Sequence, residues 1–559
     1  MDFKAELVKL LVKETKLKKE EIVNLISIPP NAKMGDYAFP CFILGKNPKE
    51  KAEKLKESIK LPKSFSKAEV IGPYLNFFVN NATFSENTLS KIYKEKEDYG
   101  KQSIGKKKKV VLDFSSPNIA KPFGIGHLRS TVIGNCLYKI YNTLDYTSIS
   151  VNHLGDWGTQ FGKLIVAFNK WGKEKELKKE PIKYLLKLYV KFHDEAEKND
   201  KLNDEAREAF KKLEEGNKEY LTIWESFKEL SIKEFKRIYE ILNVKFDVYQ
   251  GEAFYNSTLN ETIKSVKKKV KTKISDGALI IDLEKYKMPP ILLKKSNGAT
   301  TYHTRDIAAA FYRLKKYKPL KLIYVVGSEQ KLHFQQLFKA LELAGEDKNK
   351  FKHVDFGLFR FPEGKMSTRK GKVIFLEDVL DKAISLAKKI IENKNPQLKN
   401  KETVAKDVGV GAIVFADLSN ERTRNIDFNW DRMLSFEGET GPYIQYTHAR
   451  ACSILRKAKK KVSSKINFES INLEEELAVV KLLYQFSEIL VRVSETYKPH
   501  HLAQYLISLS QAFNEFYHKC PVISEMEQQM NSRLLLVDSV RQVLENGLEL
   551  LGIKAPVEM

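Results

Sequence analysis

The chain has 559 residues, 42% of them hydrophobic, with a formal net charge of +24. Such a length supports about three to five domains with full cores. The charge points to a polyanionic partner, with RNA, DNA and an anionic membrane surface all open, and a lysine-rich solvated surface as the bland alternative. Cys41, Cys136, Cys452 and Cys520 are scattered and form no CxxC pair, so neither a zinc knuckle nor a disulfide framework is suggested. The N-terminus has no apolar h-region and no apolar run approaches transmembrane length, so no membrane role and a cytoplasmic protein are expected.

Taken in chain order, residues 1–105 read as a small α+β domain. A helix with Leu7, Leu10, Leu11 and Val12 on its apolar face opens it. "GDYAFPCF" and "GPYLNFFV" follow as turn-plus-strand segments. The polar, basic stretch from Tyr99 to Lys109 marks a boundary.

Residues 106–400 alternate between short apolar strands and helices. "VVLDF", "SISV", "ALIIDL", "KLIYVV" and "VDFGLFRF" are the strand candidates. Alternation of this kind implies a doubly wound parallel sheet of Rossmann type, with ligands beyond the carboxyl ends of its strands. A charged helical insertion spans about 170–250, and 376–395 reads as a helix leaving the sheet. Residues 401–559 show helical spacing only, which predicts an all-α bundle without strands.

The first strand of the sheet runs into "SSPNIAKPFGIGHLRST" and then a helix. Pro122 stiffens this loop, and Gly124 and Gly126 allow close backbone approach to a flat or anionic ligand. His127 falls at the helix start, where free N–H groups and the dipole favour anions. Lys121 adds a point charge, so the loop is suited to a triphosphate; an ordinary β–α turn is the competing reading. A second loop, "EGKMSTRKGKV", is basic, hydroxyl-bearing and flanked by glycines. Alone it reads as a solvated charged turn.

Together the two loops resemble the HIGH and KMSKS signatures of class I aminoacyl-tRNA synthetases. "LGDWGTQFG", "TTYHTRDIAAA", "FEGETGPYIQYTHAR" and the ending "LGIKAPVEM" narrow the resemblance to arginyl-tRNA synthetases, over nearly the whole chain. The resemblance implies a multidomain enzyme. It would have an N-terminal added domain contacting the tRNA elbow, a Rossmann-type catalytic core and an α-helical anticodon-binding bundle. It further implies ATP with Mg2+, L-arginine and tRNA(Arg) as partners, arginyl-adenylate as intermediate, transfer to the terminal 2′-OH, and activation that requires bound tRNA. A monomer is expected.

By that resemblance, Ser116, Pro117 and Asn118 meet the backbone end of the amino acid, with Asn118 at the α-amino group. His127 lies near ATP and the reacting carboxylate. Tyr302, Asp306 and Gln330 recognise the arginine side chain. The physics agrees, because a carboxylate holds a guanidinium in a forked, charge-assisted pair. Tyr302 and Asp306, four residues apart, would share a helical face. Gly124, Gly126, His127, Lys365, Met366 and Ser367 form the ATP-binding set, and no residue is assigned to a resident metal. Asp156 and Trp157 receive no role: a buried turn aspartate and a ligand are equally open.

Two departures stand out. Gly124 occupies the first histidine of HIGH, so backbone N–H groups or a neighbour must supply that donor. Thr368 replaces the second lysine of KMSKS, and Lys121 is the substitute for the α-phosphate, with Lys365 on the outgoing pyrophosphate and Arg369 and Lys370 assisting or solvated. On the RNA side, Tyr443, Tyr446 and Arg450 are the candidates for base stacking and phosphate contact. Phe513, Phe516 and Tyr517 read as helix core. The rival readings are a tRNA-binding paralogue without aminoacylation, supported by Gly124 alone, and a synthetase of the same class for another amino acid.

Overall fold

The structure, a computed structural model, describes residues 3–31, 34–360 and 374–559. The chain forms two compact units, and each is taken by itself. The smaller comprises Met1–Tyr99, Arg450–Phe486 and Ser508–Leu544; the larger comprises Gly100–Ala449, Ser487–Ile507 and Glu545–Met559.

The smaller unit opens with the helix Phe3–Thr15, which buries Phe3, Leu7, Val8 and Leu11. Leu10 and Val12, expected on the same face, are half-buried, because Phe3 and Val8 take the inner places. The helix covers an antiparallel sheet of β1 (Tyr37–Pro40), β2 (Phe65–Ile71) and β3 (Tyr74–Val79), in the order β1-β3-β2. Gly72, with φ +60°, makes the tight turn from β2 to β3 that a Cβ would resist. Tyr484, from the later part of this unit, packs its ring 5.0 Å from that of Phe84 beside this core.

The larger unit is built on five parallel strands: β4 (Lys109–Asp113), β5 (Thr147–Asn152), β6 (Val248–Tyr249), β10 (Lys321–Gly327) and β11 (Phe351–Phe356), in the order β11-β10-β4-β5-β6. Between them in the chain, β7 (Thr272–Ser275), β8 (Ala278–Ile281) and β9 (Ile291–Lys294) make a separate antiparallel sheet. "ALIIDL" therefore forms a strand, as its apolar run demands, but outside the parallel sheet.

Val110, Val111 and Leu112 of β4 are all fully buried, which requires cover on both faces. The helices Tyr302–Tyr317 and Lys331–Leu343 give Ile307, Ala310, Leu337 and Leu341 to the face that holds Val111, Val151 and Leu322. The helix Gly126–Thr143 approaches so closely that a Cβ on Gly134 would lie 2.2 Å from the Phe114 ring. The chain moves from β4 to β5 and β6 on one side, and later adds β10 and β11 on the other. The order thus reverses between β4 and β10, and their carboxyl ends open the crevice where such sheets bind ligands.

The charged stretch after Lys170 folds as four helices, Glu174–Lys179, Pro181–Lys198, Lys201–Glu214 and Lys218–Ile241. Leu188, Phe192, Ala206 and Ala209 bury against Val166 and Ala167. Beyond the sheet, the helices Leu376–Lys394 and Lys401–Leu418 pack through Ala387, Ile391, Ala405 and Val408. No strand was expected after Thr403, yet β13 (Ile426–Asp427) pairs in parallel with β12 (Phe359–Arg360). Two residues carry no legible period. Among the described residues, no helix is long and apolar enough to cross a membrane.

Candidate active site

The segment after β4 is a strained turn pinned by side chains. Ser115 and Ser116 both have left-handed backbones, with φ of 70° and 48°. Neither is glycine, so the turn is held from outside. The Ser115 N–H donates to Ser130 Oγ at 2.8 Å, and Ser115 Oγ lies 2.7 Å from the Tyr239 hydroxyl. Ser116 Oγ donates to Asp113 Oδ1 at 3.0 Å. Pro117 O accepts from the Gly155 N–H at 3.1 Å, and the Ile119 N–H donates to Gly155 O at 3.2 Å. Asn118 and Gly155 therefore form a parallel bridge between the loops after β4 and β5.

His127 sits in the first turn of the helix Gly126–Thr143. Its N–H donates to Gly124 O at 2.9 Å, and its Nδ1 lies 3.3 Å from the same oxygen. Burial pushes the imidazole down to about 4, against the pull of the Gly124 carbonyl, and the nearby Lys121 charge lowers it further. The site thus brings Lys121 and His127 together. Lys121 Nζ also donates to Gln160 Oε1 at 3.2 Å. Gly124 forms an antiparallel bridge with Phe375, and the Leu376 N–H donates to Phe123 O at 2.9 Å. Gly126 is exposed, and a Cβ there would meet nothing within 4 Å. Lys365, Met366, Ser367, Thr368, Arg369 and Lys370 lie outside the described residues.

Tyr302 and Asp306 both lie on the helix Tyr302–Tyr317, as their spacing requires. His333 joins them. Its Nε2 is 2.7 Å from Asp306 Oδ2, and its ring centre is 5.2 Å from that of Tyr302. His153, from the loop after β5, places Nε2 3.8 Å from Asp306 Oδ1. Burial pushes the Asp306 carboxyl up, but the His333 hydrogen bond and the charges of His333, His153 and Arg313 outweigh it and hold the group below its ordinary value. Tyr302 is 57% exposed and stacks on His303 at 4.2 Å. Gln330 ends the turn after β10, is exposed, and precedes His333 by three residues.

Sequence reasoning missed His153, His333 and Glu252. Glu252 has its carboxyl pushed up to about 7, first by burial and then by Asp306, with Arg305 opposing and Asp156 adding. His153 stands just before "LGDWG" and His333 just after Gln330, so proximity to a motif was the available signal.

Asp156 is a structural anchor in this arrangement. It is wholly buried, Oδ1 accepts from the Ala253 N–H at 2.8 Å, and Oδ2 pairs with Lys228 Nζ at 2.8 Å. Its carbonyl accepts from Trp224 Nε1 at 2.8 Å, and Trp157 packs edge-on to Trp224 at 5.6 Å.

The profile of the class I (R) tRNA synthetase catalytic domain matches residues 88–430. Those of the arginyl tRNA synthetase N-terminal domain and the DALR anticodon-binding domain match residues 2–79 and 444–559. The chain belongs to the arginyl-tRNA synthetase family. An arginine–tRNA ligase of Clostridioides difficile is 50% identical over 100% of both chains, and one of Halothermothrix orenii is 49% identical over the same share. The arginyl-tRNA synthetase of Thermus thermophilus has a similar structure, with a TM-score of 0.84 at 26% identity over 100% of both chains.

The family's DALR match takes in most of the helix Gly441–Ala458, which carries the three RNA candidates. Tyr443 is half-buried, and Tyr446 is 39% exposed with its ring 6.5 Å from Phe436. In the smaller unit, the Arg450 guanidinium bonds to Asn514 and lies 5.5 Å from the Tyr517 ring centre. Phe513 and Phe516 are fully buried, whereas Tyr517 is at the surface beneath Arg450 and is not core.

Proposed function

We propose that the protein ligates L-arginine to tRNA(Arg) with ATP, in two steps. The arginine carboxylate attacks the α-phosphorus of ATP, giving arginyl-adenylate and diphosphate. The terminal ribose 2′-OH of the tRNA then takes the arginyl group, and AMP leaves. The observation that carries this reading is the ionised Asp306 carboxylate, held between His153 and His333 one helical turn from Tyr302. A guanidinium fits it as a fork, and a lysine ammonium would leave part of the site unmatched.

Around that carboxylate the roles follow from position. Ser116, Pro117 and Asn118 receive the α-amino and carboxyl end. Tyr302, Gln330 and Glu252 complete the side-chain pocket. Lys121 and His127 flank the α-phosphate, at the positive end of the helix Gly126–Thr143. Gly124 and Gly126 let the backbone reach ATP, and Gly124 lends its carbonyl to fix His127 rather than a side-chain donor. Lys365, Met366 and Ser367 complete the ATP set on the diphosphate side. Magnesium arrives as the ATP complex, held by phosphate oxygens, and supplies charge neutralisation there. Tyr443, Tyr446 and Arg450 meet the anticodon end of the tRNA, and the enzyme works as a cytoplasmic monomer.

Arginine-dependent exchange of pyrophosphate into ATP, with and without tRNA(Arg), tests this. Exchange that needs both arginine and tRNA supports the reading. No exchange in either condition, with tRNA still bound, would favour a tRNA-binding paralogue without activity.

A further inference from the structure

A buried arginine lies beneath a site that binds arginine, and its chemistry explains why. Arg313 is on the same helix as Tyr302 and Asp306, and it is fully buried. Its offsets from Tyr302 and Asp306 are eleven and seven residues. At about 100° per residue, all three fall within roughly 40° of one another on the helix surface. Arg313 Nη1 donates to Asp113 Oδ2 at 2.7 Å. The other carboxylate oxygen, Oδ1, accepts from Ser116 Oγ at 3.0 Å. Asp113 closes β4 and is paired in register with Tyr324 of β10, so this relay sits at the point where the sheet order reverses.

The pair is poorly built for stability. Arg313 Nε and Nη2 lie buried beside the hydroxyls of Tyr255 and Tyr324 without a well-aligned hydrogen bond to either. An apolar residue at 313 would join the surrounding helix–sheet core without the desolvation penalty of two ions. What the ion pair supplies is position. Arg313 fixes one oxygen of Asp113, and the other oxygen accepts from Ser116 Oγ and helps hold Ser116 in its left-handed conformation. Asn118 follows two residues later, on the same turn.

We propose that Arg313 is a positioning residue for the amino-acid site, acting through Asp113 on the Ser115–Asn118 turn. The proposal deepens the arginine-site reading given above and rests on it. It predicts that the amino-acid end of the reaction depends on Arg313 more than the ATP end does, because His127 and Lys121 are fixed by Gly124 and Gln160 instead.

The test is pyrophosphate exchange by the full chain, with KM for arginine and for ATP measured separately. Arg313→Met is expected to raise KM for arginine about tenfold or more and to leave KM for ATP within about twofold. Arg313→Lys, which keeps a charge but not the fork, is expected to recover part of the loss. The double variant Asp113→Asn/Arg313→Met removes both charges and keeps an acceptor for Ser116. It covers the case in which Arg313→Met alone fails to fold, and it is expected to bind arginine better than Arg313→Met where both fold. An unchanged arginine KM in folded Arg313→Met, or equal rises in both KM values, overturns the proposal. So does a folded double variant whose arginine KM is no lower than that of folded Arg313→Met or, where Arg313→Met does not fold, one whose arginine and ATP KM values rise equally. Arginine-dependent exchange by the wild type is a separate result, so the reading of the activity stands or falls independently.

Discussion

Asp306 is the residue on which the amino-acid choice turns. Its carboxylate is kept charged by two imidazoles and Arg313, and a bound guanidinium would share it with His333. Asp306→Ala leaves a substrate cation without its counter-charge in a half-buried site. Losing one partner of such a pair costs about 3–5 kcal/mol, which is roughly a hundredfold to a few thousandfold in kcat/KM for arginine. Pyrophosphate exchange should show that loss while tRNA binding, measured by filter retention, stays unchanged. Arginine activation that survives in Asp306→Ala would place the pocket elsewhere.

Glu252 makes a second statement at this scale, through pH. Its carboxyl titrates near 7, so it is largely neutral at pH 6 and largely charged at pH 8. A guanidinium favours the charged form. KM for arginine should therefore fall as pH rises, by about tenfold across those two pH units for a single group. Glu252→Gln should flatten the profile, and an equal slope in the variant would remove Glu252 from the pocket. Stability runs the other way. The folded value is raised above the ordinary 4.5, so the group's contribution is present below about 4.5 and is lost as pH rises through about 7. Calorimetry should find Glu252→Gln relatively more stable than the wild type at pH 8.

The active site is assembled by the meeting of elements, and Gly155 is where two of them touch. A Cβ there would sit 2.1 Å from Asn118 Oδ1. The clash is with the end of a side chain, so Gly155→Ala should turn Asn118 aside rather than unfold the sheet. The expected result is a raised arginine KM with Tm shifted by only a few degrees; a variant that loses its fold outright would show that the bridge serves the sheet instead. This geometry also marks what sequence could and could not convey. Apolar runs announced β4 and β10, because strands buried on both faces leave few polar positions, whereas β5 showed only the short alternation "SISV" and buries Ser148, Ser150 and Asn152. β6, two residues long, had no pattern to show, and β8 had the right pattern in the wrong sheet, since pairing partners are set by topology. Among site residues, those inside motifs were legible. His153, His333 and Glu252 come from three separate segments and meet only once the strand ends converge on Asp306.

The whole molecule carries a formal charge of +24, which no single pocket accounts for. A small-molecule substrate would need only the local charges at Asp306 and Lys121. A polyanion as long as a tRNA would release many counterions from such a surface. Its affinity should then fall steeply with salt, with each neutralised phosphate adding about 0.7–0.9 to the slope of log K against log salt. For roughly six to ten phosphate contacts, raising salt from about 50 to about 200 mM should weaken tRNA binding by about a thousandfold or more. Arginine affinity, governed by a half-buried carboxylate that salt screens weakly, should change far less over the same range. Parallel titrations of tRNA and of arginine across that range distinguish the two. A shallow slope for tRNA would mean that most of the positive charge lies away from the RNA path and serves solubility. A steep slope, reduced by about one phosphate's worth in Arg450→Ala, would place that arginine on the path.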